Sequence, residues 1–429
     1  MNYNDTIEYL YSQLPMFSRI GISAYKTDLH NTIALCKNLG DPQHKFKSIH
    51  IAGTNGKGST SHMLAAILQE AGYKTGLYTS PHIKDFRERV RINGKMIEKD
   101  FVVEFVKNTR VMSDEINPSF FELTVAMAFE YFAQEKVDIA VIETGLGGRL
   151  DSTNIIDPVL AVITNIGFDH MNILGNTLPE IAAEKAGIIK ANKPVVIGET
   201  IPETHNIFLR KATEMNAPIQ LATENYLIEY ANSVDQFLLC AVRNINTNTT
   251  SHFKLDLAGY YQSKNLCTVL TAVDQLQQHG FIIPEPAVKH ALEHVKEITG
   301  LLGRWDIIGK DPVIILDVAH NEDGIKQVLQ QLKKDYSTAA FHFILGFVND
   351  KDIKNLLRLF PKNADYYFTN AHIPRALPYE TLQQQATENE LTGEGYDDVN
   401  DAIRAAKERA AEKDVIMVCG SFFIIAEVK

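Results

Sequence analysis

The feature that most constrains this chain is a glycine-rich loop between a short apolar segment and a helical pattern. Ser48–Ala52 is short and apolar, as a buried strand is. Apolar residues from Ser59 to Gly72 recur at helical spacing, and glycine commonly ends a helix. The loop between them runs Gly53-Thr-Asn-Gly-Lys-Gly-Ser-Thr60. A strand, a glycine-rich turn and a helix in this order predict an α/β architecture.

The glycine-rich loop is suited to binding phosphate. Its glycines let several backbone N–H groups converge on one anion, and the following helix adds its positive N-terminal end. Lys57 can neutralise the outer phosphates of a nucleotide, and a hydroxyl at Ser59 or Thr60 can reach Mg²⁺ bound to them. The general form GxxxxGK[ST] would place glycine at Ile51 and a hydroxyl at Gly58, so this loop is a variant. The alternative is an ordinary turn with a solvated lysine.

Strand and helix patterns alternate along most of the chain. A first series follows the loop, and a second, smaller series begins after Gly303. Such repetition predicts mainly parallel sheets with helices on both faces. We therefore predict an α/β protein with an N-terminal P-loop mononucleotide-binding domain (1–297) and a smaller Rossmann-like C-terminal domain (298–429). The stretch 217–257 is expected to form antiparallel strands at the edge of the first sheet.

The composition excludes several classes of protein. Of the 429 residues, 45% are hydrophobic and 22% are charged, as in ordinary globular proteins. Lys and Arg number 42 against 53 Asp and Glu, and the net charge of −11 argues against a broad nucleic-acid or membrane-binding surface. The four cysteines form no CxxC pair, and the N-terminus lacks a signal-peptide pattern. We expect a cytoplasmic protein with no nucleic-acid or membrane partner.

Further stretches, taken together with the loop, are typical of one family. They are Thr79-Ser-Pro-His82 with Phe86-Arg-Glu-Arg89, Glu143-Thr-Gly-Leu-Gly-Gly-Arg-Leu-Asp-Ser-Thr-Asn154, Asp169-His170, Glu184-Lys-Ala-Gly-Ile188, Gly303-Arg304 and Asp317-Val-Ala-His-Asn321. With these motifs the chain resembles the Mur ligase superfamily, specifically its folate branch of dihydrofolate and folylpolyglutamate synthases. The resemblance covers both predicted domains. It implies that Asn55, Gly56, Lys57, Gly58 and Ser59 bind ATP.

The resemblance also implies a magnesium site. In the folate ligases the positions matching Ser80, Glu143 and His170 hold Mg²⁺, and two sites are expected. Glu143 ends the apolar stretch 137–142, and active sites of open α/β sheets lie at the carboxyl ends of strands. Position alone leaves a capping or solvated carboxylate equally open for Glu143. Because Mg²⁺ prefers oxygen, position alone makes His170 a hydrogen-bonding loop histidine.

Lys185 completes the catalytic set that the resemblance implies, with Lys57, Glu143 and His170. By sequence alone Lys185 is an ordinary lysine on a helix surface. In the resembling family this lysine carries a carbamate, which replaces a cation with an anion and supplies oxygen ligands. A bound monovalent cation is a further possibility in this family.

The family match assigns a second group of residues to the pterin substrate. These are Leu150, Asp151 and Ser152, the segment Ser119, Phe120, Phe121 and Glu122, and, with a less typical local sequence, Thr27 and Asp28. A flat heteroaromatic ligand can stack on Phe120 or Phe121. The alternative is that these phenylalanines belong to the core.

The C-terminal half contributes nucleotide and glutamate contacts in the resembling ligases. Asn265 contacts adenine, Arg304 the phosphates and Asp317 the nucleotide, although Asp317 and Asn321 also suit helix capping. His320 can contact nucleotide or glutamate. The segment 350–352 and Ser421 are further candidates for the glutamate side.

The sequence therefore predicts an ATP-dependent amide ligase. An acceptor carboxylate, of dihydropteroate or a reduced folate, is phosphorylated to an acyl phosphate, which the amino group of glutamate then attacks. The family implies a monomer with small-molecule substrates only. Three alternatives are a Mur-type cell-wall peptide ligase, a P-loop kinase or GTPase, and a non-catalytic nucleotide-binding module. The absence of an NKxD motif disfavours the GTPase.

Overall fold

The computed structural model describes residues 1–16, 21, 26, 28–349 and 351–429, and a large sheet forms its first half. This sheet has the order β4-β3-β2-β5-β1-β6-β7-β8. The six strands β2, β5, β1, β6, β7 and β8 pair in parallel, and β3 and β4 add antiparallel strands at one edge. Its central strands are buried along almost their whole length because helices cover both faces. The strands are β1 Lys47–Ala52, β2 Thr75–Tyr78, β3 Val90–Ile92, β4 Lys95–Met96, β5 Ile139–Glu143, β6 Leu160–Ile163, β7 Val195–Ile197 and β8 Ile219–Leu221.

Helices cover the large sheet. Helix α3 is buried from Gly58 to Leu68, which explains why its apolar residues are not confined to one face. The helices of this half are α1 Tyr3–Gln13, α2 His30–Asn38, α3 Lys57–Glu70, α4 Lys99–Ile116, α5 Phe120–Gln134, α6 Met171–Leu174, α7 Leu178–Ala186, α8 Pro202–Glu214, α9 Ala222–Asn225, α10 Gln262–Gln278, α11 Glu285–Glu293 and α12 Val295–Thr299.

The predicted antiparallel strands exist but do not extend the large sheet. Strand β8 pairs in parallel with β7 at the sheet edge, and the short helix α9 then turns the chain away. A separate three-stranded antiparallel sheet follows, whose inner face packs with α3 and α10 in one core. The edge placement was therefore wrong. The strands are β9 Tyr226–Val234, β10 Phe237–Asn244 and β11 Thr249–Leu255.

A second α/β sheet forms the C-terminal part. Its order is β12-β13-β17-β14-β15-β16, parallel except for the antiparallel edge strand β12. The elements are β12 Asp306–Lys310, β13 Val313–Leu316, α13 Glu322–Asp335, β14 Phe341–Leu345, α14 Ile353–Leu357, β15 Asp365–Thr369, α15 Tyr379–Glu388, β16 Gly393–Tyr396, α16 Val399–Arg409, β17 Val415–Cys419 and α17 Phe422–Glu427. The predicted fold class is confirmed; the domain boundary at 297/298 stays a prediction.

The described helices are all too short or too polar to cross a lipid bilayer.

Candidate active site

One cavity lies where strands of both sheets reach their carboxyl ends. Loops after β1, β5 and β6 of the large sheet line it, together with loops after β13, β14 and β17 of the smaller sheet. This is the edge at which ligands of open α/β sheets bind. The predicted site residues that line it are Asn55, Gly56, Lys57, Gly58, Ser59, Ser80, Ser119, Phe120, Phe121, Glu122, Glu143, Leu150, Asp151, Ser152, His170, Lys185, Asn265, Arg304, Asp317, His320 and Ser421.

Two of the predicted contacts, Asp28 and Asp352, do not line this cavity, and Asp352 instead caps α14. Asp28 is exposed outside it, and its carboxylate accepts a hydrogen bond from the backbone N–H of His30 at 2.9 Å. Thr27 and Asp350 lie outside the described residues. The assignment of Asp28 to the pterin therefore has no support from the geometry.

The glycine-rich loop has the shape that an anion site requires. Gly56 adopts a left-handed conformation (φ 83°) and caps α3, so the helix begins at Lys57, two residues earlier than predicted. A Cβ atom on Gly56 would lie 2.3 Å from Asn265 Oδ1. Lys57 Nζ donates to the carbonyls of Gly53 and Thr54 at 3.1 and 3.2 Å, folded over the loop.

Gly58 explains why this loop departs from the general form. A Cβ atom there would lie 3.1 Å from Arg304 Nη2 and 3.8 Å from Glu143 Oε2. The usual serine or threonine would thus project between a cation and a carboxylate from different halves of the chain. Ser59, one residue later, is buried, and its Oγ accepts a hydrogen bond from Gln262 Nε2 at 3.0 Å.

Glu143 is a buried carboxylate at the end of β5. Its side chain is only 4% exposed, and Ser80 donates its backbone N–H to it. Burial raises the pKa of Glu143 to about 7, although Lys57 and Arg304 oppose the shift. The solvated-carboxylate alternative is therefore wrong.

Lys185 is a buried lysine on α7, not a surface one. It is 4% exposed, and its Nζ donates to the carbonyl of Gly53 at 2.8 Å. Burial, with the charge of Lys57 nearby, lowers the pKa of Lys185 to about 7. A large fraction of the amine is thus uncharged at neutral pH, which is the nucleophilic form.

His170 follows β6 in a left-handed conformation (φ 50°) and begins α6. Burial lowers the pKa of His170 to about 3, so its ring is neutral at physiological pH and can offer a lone pair. Its neighbour Asp169 faces the C-terminal part, where Asp169 Oδ2 lies 3.1 Å from His320 Nε2.

The carboxylate of Asp317, beside Arg304, holds neighbouring segments together through hydrogen bonds. It accepts hydrogen bonds from the Tyr261 hydroxyl at 2.6 Å and from the backbone N–H groups of Trp305 and Ala319 at 2.9 Å each. Arg304 lies over the ring of Phe422, 5.3 Å from its centroid. The direct nucleotide contact of Asp317 stays a prediction, since three donors already use its carboxylate.

The opposite end of the cavity is aromatic. The Phe121 ring lies over Gly145, where a Cβ atom would come within 2.4 Å of it, and it is partly exposed to the cavity. Phe120 is 3% exposed and packs beneath Arg89, 5.2 Å from the guanidinium carbon. Phe121 can therefore stack on a flat ligand, whereas Phe120 belongs mainly to the core.

Several predicted substrate contacts also cap helices. Ser119 and Glu122 form a reciprocal capping box on α5, and Asp151 caps the turn that follows it. Ser421 likewise caps α17. Glu122 Oε1, however, is buried with no hydrogen-bond partner among the described residues, and is thus an available acceptor at the aromatic end.

Ser80, Glu143 and His170, the predicted magnesium ligands, all line the cavity. Across the described ranges, no group of three or more His, Cys, Asp or Glu side chains is arranged to hold a metal ion. Mg²⁺ usually takes one or two protein carboxylates and completes its shell with phosphate oxygens and water. A hydroxyl, a carboxylate and a neutral imidazole therefore suit an ion shared with a nucleotide.

Sequence reasoning missed the residues that hold the site together. Asn165 Oδ1 accepts the backbone N–H of Asn55 at 2.8 Å and so fixes the phosphate loop. Tyr261, which binds Asp317, and the buried Arg89 were not assigned roles. Asn165 follows the apolar run 159–164, which predicts a strand, and Tyr261 precedes the helical pattern that begins at Gln262. Their positions at the ends of these elements were the one signal available for them.

The chain matches two family models: Mur ligase middle domain over residues 51–273 and Mur ligase, glutamate ligase domain over residues 303–422. The Bacillus subtilis dihydrofolate synthase/folylpolyglutamate synthase is 31% identical, with 100% of this chain and 98% of that protein covered. Escherichia coli FolC in complex with DHPP and ADP superposes with a TM-score of 0.86 at 29% identity, covering 99% of this chain and 96% of that one. Mycobacterium tuberculosis folylpolyglutamate synthase complexed with ADP and AMPPCP gives 0.87 at 28%, covering 99% and 98%.

These similarities extend over the phosphate loop, the aromatic end and the C-terminal sheet alike. They confirm the resemblance inferred from the motifs, and they disfavour the kinase, GTPase and non-catalytic alternatives. The chain belongs to the Mur ligase family, in its branch of ATP-dependent dihydrofolate synthases/folylpolyglutamate synthases.

Proposed function

We propose that this enzyme joins L-glutamate to the carboxylate of 7,8-dihydropteroate, of reduced folates, or of both, with ATP as the energy source. The observation that carries the proposal is one cavity lined by the phosphate loop, by Phe120 and Phe121, and by loops of the C-terminal sheet. A pterin at the aromatic end would direct its carboxylate toward the γ-phosphate. Glutamate would enter from the C-terminal side.

The pterin end offers both stacking and hydrogen bonding. Phe121 supplies an aromatic face. Glu122 Oε1, which has no hydrogen-bond partner in the described part of the chain, can accept a hydrogen bond from a ring N–H or amino group. Leu150 and Ser152 line the same cavity. This combination suits a flat, nitrogen-rich heterocycle better than a peptide.

The chemistry proceeds in two displacements. The acceptor carboxylate attacks the γ-phosphorus, ADP leaves, and an acyl phosphate forms. The amino group of glutamate then attacks the acyl carbon, loses a proton, and expels phosphate as the amide bond forms. Lys57 and Arg304 stabilise negative charge on the phosphoryl group during both steps, which is the main service a protein can provide to phosphoryl transfer.

Magnesium and a modified lysine complete the proposed site. Ser80, Glu143 and His170 would hold Mg²⁺, which neutralises phosphate charge when bound. The neutral amine of Lys185 can react with carbon dioxide to form a carbamate, and burial beside Gly53 O supports this assignment. A second magnesium ion and a monovalent cation would lie near the same phosphates. We assign residues 1–297 to the ATP-binding domain and 298–429 to the glutamate-ligase domain of a monomer.

The proposal is tested by the release of ADP from Mg-ATP in the presence of glutamate and either dihydropteroate or tetrahydrofolate. We expect glutamate-dependent ADP release with at least one acceptor, matched by a product that is one glutamyl residue heavier. A cell-wall peptide precursor serves as the comparison acceptor. Turnover with that precursor and none with either pterin would contradict the proposal in favour of a Mur-type peptide ligase.

A further inference from the structure

The carboxylate of Asp169 connects the two sheets across the cavity. Asp169 follows β6 of the large sheet. Its Oδ1 accepts the backbone N–H of His170 at 2.8 Å, but other partners of its side chain lie on loops of the C-terminal sheet. Lys351 Nζ donates to Asp169 Oδ1, while His320 Nε2 lies 3.1 Å and Asn321 Nδ2 3.4 Å from Oδ2. The side chains of Asp169 and Lys351 are 10% and 11% exposed. We refer to Asp169, His320 and Lys351 as the clamp.

The clamp lies beside a second cross-link that starts in the phosphate loop itself. Asn55 and Asn321 exchange reciprocal amide hydrogen bonds of 3.2 and 2.9 Å. Asn321 also donates to Asp169, so the clamp and the phosphate loop share one partner. The ion pair of Asp169 with Lys351 is largely buried, and it joins a loop of the large sheet to a loop of the C-terminal sheet.

A buried, charge-assisted contact of this kind sets geometry more than it adds stability. Removing two charges from water costs free energy that the pairing only partly returns, but breaking the pair leaves a costly unpaired charge. The C-terminal loops consequently have a preferred position relative to the phosphate loop. In the proposed reaction, glutamate and the acyl phosphate come from opposite sides of this gap and must meet within bonding distance.

We propose that Asp169 is a positioning residue that, through Lys351 and His320, holds the C-terminal loops over the phosphate loop for the second displacement. The inference rests on the proposed function, because it assigns the clamp to the step in which glutamate attacks. Loosening the clamp lets water reach the acyl phosphate, so ATP is consumed without amide formation.

The test uses Lys351→Met, Asp169→Asn and the double variant, each in the full chain. The matched control is Lys354→Met, which removes a lysine from the neighbouring helix where it pairs with Glu388 at 3.3 Å. For Lys351→Met we expect the KM for glutamate to rise about tenfold and the ratio of ADP to amide product to exceed that of the parent. The double variant should be no worse than either single one, because both remove the same contact.

A second measurement does not depend on activity. The four native cysteines are buried, so dyes can be attached at Val111→Cys and Asn363→Cys, both on exposed surface of opposite halves. In ligand-free protein we expect the efficiency of energy transfer between the two dyes to be lower, or its distribution broader, in Lys351→Met than in the parent and in Lys354→Met.

Two results would overturn the inference. One is a double variant whose defects multiply while the dye separation stays unchanged, since Lys351 would then act on glutamate independently of Asp169. The other is an ADP-to-product ratio identical in all variants. If the parent shows no glutamate-dependent ADP release, the proposed function fails, and the dye measurement still decides whether the clamp sets the geometry.

Discussion

Two ionisable side chains in the cavity are shifted toward the same pKa from opposite directions. Burial raises the pKa of Glu143 and lowers that of Lys185, and both arrive at about 7. Each group is therefore held in a costly environment, which is typical of functional sites. Sequence could identify these positions by their motifs, but not their burial, because β5 and α7 read as an ordinary strand and helix.

Lys185→Met is predicted to stabilise the protein while abolishing turnover. The parent buries a lysine at a cost of a few kcal/mol, and Met removes that cost with little change in volume. The carbonyl oxygen of Gly53 loses Lys185 as a donor in this variant, but it still accepts a hydrogen bond from Lys57 Nζ at 3.1 Å. We expect a higher melting temperature at pH 7, measured by calorimetry without ligands and in buffer free of carbon dioxide, in which Lys185 carries no carbamate.

The pH dependence of this gain has a definite sign. The pKa of Lys185 is about 7 in the folded protein and 10.5 in its ordinary, unburied state. Between these two pH values the unfolded chain therefore binds a proton at Lys185 that the folded protein does not. The stability of the parent therefore increases with pH across this window, and the advantage of Met is greatest at pH 7 or below and shrinks toward pH 10. A variant less stable than the parent at pH 7 would contradict the account of Lys185.

Glu143→Gln is predicted to lower ligase turnover by about 100-fold or more while nucleotide binding survives. The amide keeps the size of the side chain but removes the charge that would hold Mg²⁺. The measurement is turnover alongside calorimetric binding of ADP. The control is Asp256→Asn. Asp256 is a partly buried carboxyl whose pKa burial raises to about 6, and it lies outside the cavity. An unimpaired Glu143→Gln enzyme would remove Glu143 from the mechanism.

At the scale of elements, sequence periodicity located the buried parallel strands well. Short apolar runs at 75–78, 313–316, 341–345 and 415–419 predict strands, and β2, β13, β14 and β17 have these bounds. Such runs between turn residues leave few alternatives. The edge strands β12 and β16 and the amphipathic helices α4 and α8 were not predicted. Edge strands carry polar residues, and their pairing depends on tertiary contacts that no local pattern encodes.

The junction between β1 and α3 provides a prediction at this scale. Gly56→Ala is expected to abolish nucleotide binding and to cost about 1–2 kcal/mol of stability, since the residue is left-handed and its Cβ would lie 2.3 Å from Asn265 Oδ1. Binding of ADP and chemical denaturation report the two effects separately.

The other end of the same helix offers the matched control. Gly72 is also left-handed (φ 92°), but no atom of the described residues lies within 4 Å of the position of a Cβ. Gly72→Ala should therefore carry only the backbone cost and bind ADP like the parent. Equal loss of binding in both variants would show that general destabilisation, and not the shape of the loop, explains the effect of Gly56→Ala.

At the scale of the whole molecule, sequence predicted which residues gather but not how they pair. Their positions at strand ends placed nearly all of them in one cavity, since parallel strands share one carboxyl edge. The contacts of Asp169 with Lys351 and of Tyr261 with Asp317 join segments 182 and 56 positions apart. Such pairings depend on how the two sheets are oriented, which no local sequence pattern specifies.

The most direct test of the central claim follows one oxygen atom through the reaction. The acceptor, dihydropteroate or tetrahydrofolate, is labelled with heavy oxygen in its carboxylate and incubated with glutamate, Mg-ATP and the enzyme. If the carboxylate attacks the γ-phosphorus, one labelled oxygen must appear in the released phosphate for each amide formed, as mass spectrometry of the phosphate would show. Amide product accompanied by unlabelled phosphate would contradict the acyl-phosphate route on which this account of the cavity depends.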